Sequence, residues 1–331
     1  MGNKYKVSVI VPIYKVASFL EKCVLSLFEQ TLNDVEFIFV DDASPDNSME
    51  ILQSCIEKYP LLKKSIKILR HECNKGLPSA RNTGLSVASG KYIFHCDSDD
   101  FVDASMLEML YLRGIETKAD IIWCDWYLSF KENEKYMRQK EYMDAQGFLY
   151  GMLSGRIKYN VWNKLVKKDL YDNYNIQFPN GYSMGEDMTM IRLAACAKKV
   201  AYVPAAFYHY VRINANSYTH NFSDRNFCDI RYNVDETIRF LQSNNRMGKK
   251  LDEGISFFKL DVKFPFLISC NEADYQLWHE WYPEANSYIM KNKEVSWRRK
   301  LLQFMAWKNQ FWFVKLYYYF FVKIVYGVIY K

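Results

Sequence analysis

The feature that most constrains the fold is an alternation of apolar runs and amphipathic helices through the first 125 residues. Continuous Val, Ile and Phe runs of this kind are typical of parallel strands that are buried on both faces. Between the first two runs, Leu20, Val24 and Leu27 follow helical spacing and predict an amphipathic helix. The predicted strands are KVSVIVPIY, VEFIFVDD, SIKIL, KYIFHC and ADIIWC. The alternation predicts an α/β fold, with a mostly parallel sheet flanked by helices on both faces.

Further helices are predicted after the second strand and near residues 78–88 and 104–116. For the helix after the second strand, Ser44 is the predicted N-cap and Pro45 the first helical residue, because serine caps and proline tolerates that position. Beyond residue 126 the alternation fades. The rest is predicted to be mainly helical over 142–200 and 226–290, with one more strand in KVAYVPAAFYHYVR.

Composition and charge limit the compartment and the partners. The eight cysteines are scattered, without a C-x-x-C pair or metal-ligand spacing, which predicts a reducing, cytoplasmic environment. The apolar run before Pro12 is too short for a secretory signal, so no export signal is predicted. A net charge of +6 is too small to indicate nucleic acid, and no nucleic-acid partner is predicted.

Polar clusters follow three of the predicted strands. Asp41 and Asp42 follow the second strand, the segment from Lys75 to Asn82 follows the third, and Asp97–Asp100 follows the fourth. Ligands of open α/β sheets bind outside the carboxyl ends of the strands, so these clusters should line one crevice. The alternative for the first and last clusters is ordinary turn and capping chemistry.

Three carboxylates occur within four residues in the last cluster, at Asp97, Asp99 and Asp100. Like charges this close repel each other, and desolvation disfavours their ionised forms, so a cation is expected nearby. A site of carboxylates without Cys or His ligands suits Mg²⁺ or Mn²⁺.

Several common enzyme motifs are absent. The sequence has no G-x-x-x-x-G-K-[ST], which excludes a P-loop, and no G-x-G-x-x-G after either early strand, which weakens the case for a dinucleotide dehydrogenase.

Five blocks resemble, in order and spacing, the family 2 glycosyltransferases, an inverting group with the GT-A fold. The blocks are VSVIVPIYK, FIFVDDASPDNS, GLPSARNTGL, YIFHCDSDDF and GEDMTM. The resemblance implies a Rossmann-like GT-A sheet, and the helical pattern over 226–290 predicts a helical C-terminal extension. The resemblance also implies transfer, with inversion, of a sugar from a nucleoside diphosphate, with a UDP-sugar favoured, to an acceptor hydroxyl. The implied task is assembly of a surface polysaccharide or a lipid-linked glycan.

The resemblance also implies residues for the chemistry. Asp97 and Asp99 resemble the ligands of a divalent ion, Mn²⁺ or Mg²⁺, that stabilises the leaving diphosphate as a Lewis acid. Asp100 then supports that ion or contacts the donor sugar. Asp187, with Glu186 beside it, matches the base that takes the proton of the acceptor hydroxyl. The alternative for this pair is a helix N-terminus that favours acids.

Other residues are implied to bind the donor. Asp42, together with Asp41, resembles the residue that hydrogen-bonds the base, and Tyr14 after Pro12 is placed to stack on it. The pair that should line the rest of the donor pocket is Arg81 and Asn82.

Two assignments have an equally plain structural alternative. The segment Trp162, Asn163 and Lys164 resembles a block on the acceptor side, although a buried tryptophan would look the same. His209 is a third metal ligand in some relatives, but histidine is also common in folded cores.

The domain organisation follows from these patterns. We predict a GT-A catalytic domain over 1–225, a helical extension over 226–295 and a basic aromatic tail over 296–331. The catalytic domain would comprise a nucleotide-sugar half over about 1–125 and an acceptor half over about 126–225.

The tail is long enough to cross a bilayer, but Lys315 and Lys323 fall inside its apolar part and argue against a span. Taken as one helix, the tail has Lys308, Lys315 and Lys323 on one stripe beside an aromatic face, which is typical of a helix at a membrane surface. A peripheral location at the inner face of the membrane, near a lipid-linked acceptor, is therefore predicted. The alternative is a helix packed on the catalytic domain.

Two other functions remain open at this point. A sugar-1-phosphate nucleotidyltransferase uses a similar sheet, but it needs a Gly-rich, Arg-bearing loop after the first strand, and PIYKVASF has neither. A non-catalytic sugar-nucleotide-binding protein would not need all of Asp97, Asp99 and Asp187.

Overall fold

The computed structural model describes residues 5–182, 184–212, 224–244, 248, 250–269 and 271–321. Internal contacts divide the chain into two compact units. The first comprises Met1–Ala145 and Tyr159–Phe240, and the second comprises Gln146–Lys158 and Leu241–Lys331. The domains predicted from the sequence, over 1–225, 226–295 and 296–331, remain a prediction.

One mixed sheet organises the first unit. Its strands are β1 (Tyr5–Ile13), β2 (Val35–Asp41), β3 (Ile66–Arg70), β4 (Gly90–His95), β5 (Phe101–Val102), β6 (Ile121–Ser129), β7 (Glu134–Met137), β8 (Lys164–Lys167) and β9 (Val200–Val211). They are ordered β3-β2-β1-β4-β8-β6-β9-β5, with β7 paired to β6. Strands β3, β2, β1 and β4 are parallel, β8 is antiparallel to β4 and β6, and β9 is parallel to β6.

Helices follow most of the strands. They are α1 (Ala17–Phe28), α2 (Ser48–Lys58), α3 (Leu77–Val87), α4 (Met106–Thr117), α5 (Ala145–Leu153), α6 (Lys168–Asn173), α7 (Thr189–Cys196), α8 (Asp224–Ser243), α9 (Lys250–Lys263), α10 (Glu272–Glu280), α11 (Trp297–Trp307) and α12 (Phe311–Tyr317). Short 3₁₀ segments lie at Pro60–Ser65, Glu186–Met188, Phe264–Ile268 and Pro283–Tyr288. The predicted α/β fold, with a mostly parallel sheet flanked by helices, is confirmed.

The predicted start of α2 is wrong. The helix begins at Ser48, because the Asp46 carboxylate accepts hydrogen bonds from the Ser48 amide and hydroxyl, at 3.3 and 2.6 Å. Ser44 does not cap the helix; its hydroxyl accepts a hydrogen bond from the Lys15 amide at 2.9 Å. This segment therefore fastens the loop after β2 to the loop after β1.

Helix α1 covers one face of the sheet. Its side chains Leu20, Val24 and Leu27 have no exposed surface and belong to one apolar cluster with Val9 and Val11 of β1. Burial of such side chains contributes about 1.5–3 kcal/mol each to folding. The helical spacing seen in the sequence is thus the inward face of α1.

Helix α3 packs against the opposite face and approaches the sheet at Gly84. A Cβ atom at Gly84 would lie 2.5 Å from Cγ2 of Ile10, well inside carbon contact distance. The glycine lets α3 lie close to β1, and this approach brings Arg81, one turn earlier, to the end of the sheet.

The second unit is helical in its described residues. The Tyr150 ring meets the Phe257 ring edge-on at 6.1 Å and packs α5 against α9. Arg299 of α11 forms an ion pair with the buried Asp261 of α9, at 2.6 Å. Buried Lys263 lies in a cage of backbone and side-chain oxygens.

The tail is not one continuous helix, so that expectation is wrong. The chain turns between α11 and α12, where Asn309 has a left-handed φ of +58°. Lys315 forms an ion pair with Glu272 at 2.7 Å, and Lys323 lies outside the described residues, so the predicted lysine stripe is not seen. Within the described part of the chain, no helix is both long and apolar enough to cross a membrane.

Candidate active site

The site is built at the carboxyl edge of the first unit's sheet, where β2, β1 and β4 lie side by side. Tyr14 and Asp42 directly follow β1 and β2, and Asp97 comes two residues after the end of β4. The Asp42 amide donates to the Ile13 carbonyl at 3.0 Å, which continues the strand pairing into the loops. The predicted clusters at Asp41–Asp42 and Asp97–Asp100 therefore meet along one edge, as the rule for open α/β sheets requires.

A buried arginine joins the segment after β4 to the segment that carries Glu186 and Asp187. Arg81, with 1% of its side chain exposed, donates through Nη2 to Oδ1 of Asp97 at 2.9 Å and through Nη1 to Oδ1 of Asp187 at 3.0 Å. Nη1 also lies 3.7 Å from Oε1 of Glu186. Burial alone would lower the pKa of Arg81, but Asp97, Asp187 and Glu186 raise it, so the guanidinium stays charged. The predicted base and the predicted metal-binding turn are thus held by one cation.

The two acids of the GEDMTM block are strongly perturbed. Burial and the charge of the neighbouring Asp187 raise the pKa of Glu186 to about 8, against the opposing effect of Arg81. Burial also raises the pKa of Asp187, while Arg81 opposes the shift. Asp187 is the more exposed of the two, at 27% against 13% for Glu186. An accessible carboxylate with a raised pKa is suited to general-base work.

Lys164 is buried near these acids. Its Nζ atom donates to the Asn160 carbonyl and to Oδ1 of Asn163, both at 2.7 Å. Burial lowers the pKa of Lys164 to about 7, while Asp187 acts in the opposite direction. Asn163 in turn donates to the Cys124 carbonyl at 2.7 Å. Asn163 and Lys164 therefore form an internal support for this part of the site.

Trp162, the third residue of that block, is also buried. Its ring stacks on Tyr208 at 4.4 Å and on Tyr210 at 5.4 Å between centroids. The role of this block in binding an acceptor stays a prediction.

Asp100 fixes the turn that carries the other two carboxylates. It is 1% exposed, and its oxygens accept hydrogen bonds from the Tyr208 hydroxyl and the Val211 amide, both at 2.7 Å. Burial, followed by the charges of Asp99 and Asp97, raises its pKa well above the ordinary range. The Tyr208 hydroxyl also accepts a hydrogen bond from the Asp97 amide, at 3.2 Å. Asp100 and Tyr208 thus attach the turn to β9.

Asp42 anchors a loop beside the predicted nucleotide pocket. Its carboxylate accepts hydrogen bonds from the Lys75 and Gly76 amides, each at 2.8 Å, and lies 2.6 Å from Nδ1 of His71. Only 3% of Asp42 is exposed. Its role in binding a base stays a prediction.

Asp41 is buried beneath the same pocket and accepts a hydrogen bond from the Ser44 amide at 2.7 Å. Pro12 is buried within β1, and Tyr14 is half-buried just beyond the end of that strand. Asn82 exchanges two hydrogen bonds with the backbone of Phe178, at 2.8 and 2.9 Å. Asn82 therefore holds the chain segment that leads to Glu186 and Asp187.

His209 is held away from a ligand role in this arrangement. Its two ring nitrogens lie 2.7 Å from Glu134 and 3.2 Å from Asp103, and its ring stacks on Phe101 at 4.2 Å. Binding of a metal by His209 would require one of these contacts to break.

The fit of a divalent ion depends on Asp97 and Asp99. Within the described ranges, no group of three or more His, Cys, Asp or Glu side chains is arranged to hold a metal. Mg²⁺, however, usually binds through one or two carboxylates plus waters and substrate phosphates. Asp97 and Asp99 are half-buried oxygen donors in one turn, and they fit that requirement.

Helix α8 contributes residues that sequence reasoning did not find. Asn233 donates a side-chain hydrogen bond to the Met184 carbonyl, and Tyr232 stacks on Tyr182 at 3.7 Å between centroids. Directly after these contacts, Gly185 has a φ of +76°, which favours glycine. Helix α8 therefore packs against the loop that carries the two acids. No motif marks these residues; only the amphipathic pattern of the helix could have indicated an inward face.

Residues 8–185 match the sequence model of glycosyl transferase family 2. The chain is 34% identical over 224 residues to the uncharacterized glycosyltransferase EpsJ of Bacillus subtilis, covering 64% of this chain and 62% of that protein. It is 31% identical over 219 residues to the glycosyltransferase GlyG of Streptococcus pneumoniae, covering 62% of this chain and 70% of that protein. The chain thus spans less than two thirds of EpsJ.

The fold is also similar to a solved structure. The crystal structure of residues 1–349 of Staphylococcus aureus TarS in complex with UDP-GlcNAc superimposes with a TM-score of 0.71. The match covers 95% of this chain and 91% of that one, with 19% sequence identity. At this identity the likeness concerns the fold, and it confirms the predicted GT-A architecture.

Proposed function

Because this chain belongs to glycosyl transferase family 2, and is a glycosyltransferase, we propose that it transfers a sugar from a UDP-sugar to an acceptor hydroxyl with inversion. The observation that carries this proposal is the bridge made by Arg81. One guanidinium holds Asp97, at the strand end where a donor diphosphate would lie, and Asp187, the candidate base. The two functions that a single displacement requires are therefore adjacent.

Asp187 would act on the acceptor. As the acceptor oxygen forms its bond to the anomeric carbon, its proton passes to the Asp187 carboxylate, and the bond to the diphosphate breaks on the opposite face of the sugar. Burial makes this carboxylate more basic than an exposed aspartate, while the hydrogen bond from Arg81 fixes its orientation. One such displacement inverts the configuration at the anomeric carbon.

Asp97 and Asp99 would hold Mn²⁺ or Mg²⁺. When bound, the ion would supply Lewis-acid stabilisation of the charge on the leaving diphosphate. Arg81 orients Asp97 for this role, and Asp100 and Tyr208 fix the turn that carries both ligands.

The choice of nucleotide rests on two observations. UDP-GlcNAc is the ligand in the TarS structure, whose fold this chain shares. Tyr14 and Asp42 directly follow the adjacent strands β1 and β2. A base bound there could stack on the Tyr14 ring and form a hydrogen bond close to the Asp42 carboxylate. A glycan or a lipid-linked acceptor, used in assembly of a surface polysaccharide, is proposed from the family and from the basic aromatic tail.

Calorimetric titration with UDP and with GDP, each with and without Mn²⁺, tests the proposal. We expect UDP to bind in the presence of Mn²⁺, and we expect the Asp99→Ala variant to lose that metal-dependent binding. Asp172→Ala removes an exposed carboxylate from α6 and is the matched control, because it should bind UDP as the wild type does. Metal-dependent binding of GDP alone would contradict the choice of UDP. Failure to bind either nucleotide would contradict the proposed donor site.

A further inference from the structure

Helix α12 and the residues directly after it, as far as Phe320, present an apolar stripe to solvent. The stripe consists of Trp312 (62% exposed), Leu316 (60%), Tyr319 (52%) and Phe320 (57%). At about 100° per residue these positions fall on one side of a helix, and Val314, which has no exposed surface, falls on the opposite side. This segment is therefore apolar both toward its own unit and toward solvent.

Helix α11 adds to the same surface. Its buried positions are Leu302, Gln303 and Ala306, and Trp297, which is 68% exposed, lies on the opposite side of the helix. The Arg298 guanidinium lies 5.6 Å from the centroid of the Phe321 ring, so the start of α11 is next to the end of the stripe. The two helices thus form a hairpin with exposed aromatic side chains on its outer side.

The charges that the hairpin itself carries are almost all positive. From residue 291 to residue 321 the sequence carries seven basic residues and the single acid Glu294. Two of the basic residues are neutralised by ion pairs, Arg299 with Asp261 and Lys315 with Glu272. Arg298 and Lys308 are exposed beside the aromatic side chains.

We propose that the outer side of the α11–α12 hairpin docks on a membrane surface that contains anionic lipid. Tryptophan and tyrosine favour the boundary between headgroups and acyl chains, where the ring is apolar and the polar edge remains wet. Anionic headgroups would attract Arg298 and Lys308, which a neutral protein surface would not. The apolar stripe beside the basic residues Arg298 and Lys308 favours a lipid surface over a second protein. This inference does not depend on the proposed donor or acceptor.

Cosedimentation of the full chain with lipid vesicles tests the docking. One set of vesicles contains equal parts phosphatidylglycerol and phosphatidylcholine, and the other contains phosphatidylcholine alone. We expect the wild type to bind the anionic vesicles, and to bind them less at high salt. The variant Trp312→Ser/Leu316→Ser/Phe320→Ser should lower the partition coefficient by about tenfold or more.

Two further variants test the contribution of the basic residues and whether the effect is specific to the hairpin. Arg298→Glu/Lys308→Glu should weaken binding to the anionic vesicles by about fivefold or more per reversed charge. Leu61→Ser/Met143→Ser removes apolar side chains that are 93% and 88% exposed on the first unit, and it should bind as the wild type does. UDP binding should be unchanged in all three variants, so failure of the docking is distinguishable from failure of the proposed function.

Three results would overturn the inference. The wild type could fail to bind anionic vesicles, or the stripe variant could bind them as tightly as the wild type. The third is a wild type that dimerises in solution and loses dimerisation, rather than vesicle binding, in the stripe variant; the surface would then serve a second copy of the chain.

Discussion

At the residue scale, the candidate site depends on Arg81. Its buried guanidinium contacts carboxylates from two segments that lie far apart in the chain, after β4 and before α7. Without that cation, Asp97, Glu186 and Asp187 would repel one another in a desolvated pocket. The arginine therefore stabilises the site and sets the positions of the reactive groups.

Replacement of Arg81 by lysine should separate charge from geometry. Lysine keeps the positive charge but lacks the planar fork that reaches both carboxylates. We expect Arg81→Lys to lower kcat for release of nucleoside diphosphate by about 100-fold, because a misplacement of about 1 Å has that effect. Arg113→Lys, on the surface of α4, is the matched control. Wild-type kcat in Arg81→Lys would show that the bridge does not position the site.

Asp187→Asn should remove the base while keeping the shape of the side chain. We expect kcat to fall by about 10²–10⁴-fold, because that is the usual contribution of a general base, while UDP binding survives. Asp172→Asn, on the surface of α6, should keep wild-type activity. If Asp187→Asn loses transfer and UDP binding equally, Asp187 belongs to the donor site and is not the base.

At the element scale, α8 is a support for the loop that carries Glu186 and Asp187. The contacts of Asn233 with Met184 and of Tyr232 with Tyr182 hold the chain just before the left-handed Gly185, which Glu186 and Asp187 follow. An element far along the chain thus determines the orientation of the candidate base.

The variant Asn233→Ala tests this support. Loss of the hydrogen bond to the Met184 carbonyl should loosen the loop and lower kcat by about tenfold or more, with little change in UDP affinity. Gln242→Ala, at an exposed position of α8, is the control and should leave kcat unchanged. A fall in the free energy of unfolding with unchanged kcat would instead make Asn233 a purely structural residue.

The elements also show where sequence reasoning reaches its limit. The buried strands β1, β2 and β4 were predictable, because each is a continuous apolar run. The start of α2 was not, because Ser44 and Ser48 both donate hydrogen bonds to Asp46 through contacts that only the folded loop creates. The four-residue β8 was missed as well, since so short a strand gives no period of its own.

At the scale of the whole molecule, a buried carboxylate makes the stability of the sheet depend on pH. Glu36 of β2 has no exposed surface and accepts hydrogen bonds from Ser8 of β1, at 2.6 Å, and from Gly90 of β4, at 3.1 Å. Lys67 of β3 pairs with it at 2.9 Å. Glu36 thus joins four neighbouring strands at the edge opposite to the candidate site.

Acid unfolding should report on this group. Burial would raise the pKa of Glu36, but hydrogen bonds from Ser8, Lys67 and Ser89 outweigh it and hold the pKa below the ordinary value of 4.5. Because the folded-state pKa is the lower one, the stabilisation is present above pH 4.5 and is lost as the pH falls through the folded-state pKa.

We therefore expect Glu36→Gln to lower the free energy of unfolding at pH 7 by about 1–3 kcal/mol, and to flatten its dependence on pH below 4.5. Urea unfolding at several pH values measures both effects. Glu57→Gln, at an exposed position of α2, is the control. The same pH dependence in Glu36→Gln and wild type would contradict the assignment.

Much of the candidate site was readable from the order of motifs, because strand ends at one edge of a parallel sheet must lie together. Asp42 and Asp97 were found in this way, whereas Asp187 was found from the resemblance of the GEDMTM block to the family 2 glycosyltransferases. Three contacts could not be found from the sequence: the ion pairs of Arg81, the hydrogen bond from Tyr208 to Asp100 and the contacts of α8. Each of them joins segments whose distance depends on the folding of the whole chain.

The central claim is that UDP and a divalent ion bind at the carboxyl edge of the sheet, between Asp42 and the turn of Asp97 and Asp99. Anomalous X-ray diffraction from crystals grown with UDP and Mn²⁺ tests it most directly. The account predicts a manganese peak beside the carboxylates of Asp97 and Asp99, with the diphosphate next to it and the uracil near Tyr14 and Asp42. A nucleotide bound elsewhere, or manganese held by His209 and Glu134 in place of this turn, would contradict it.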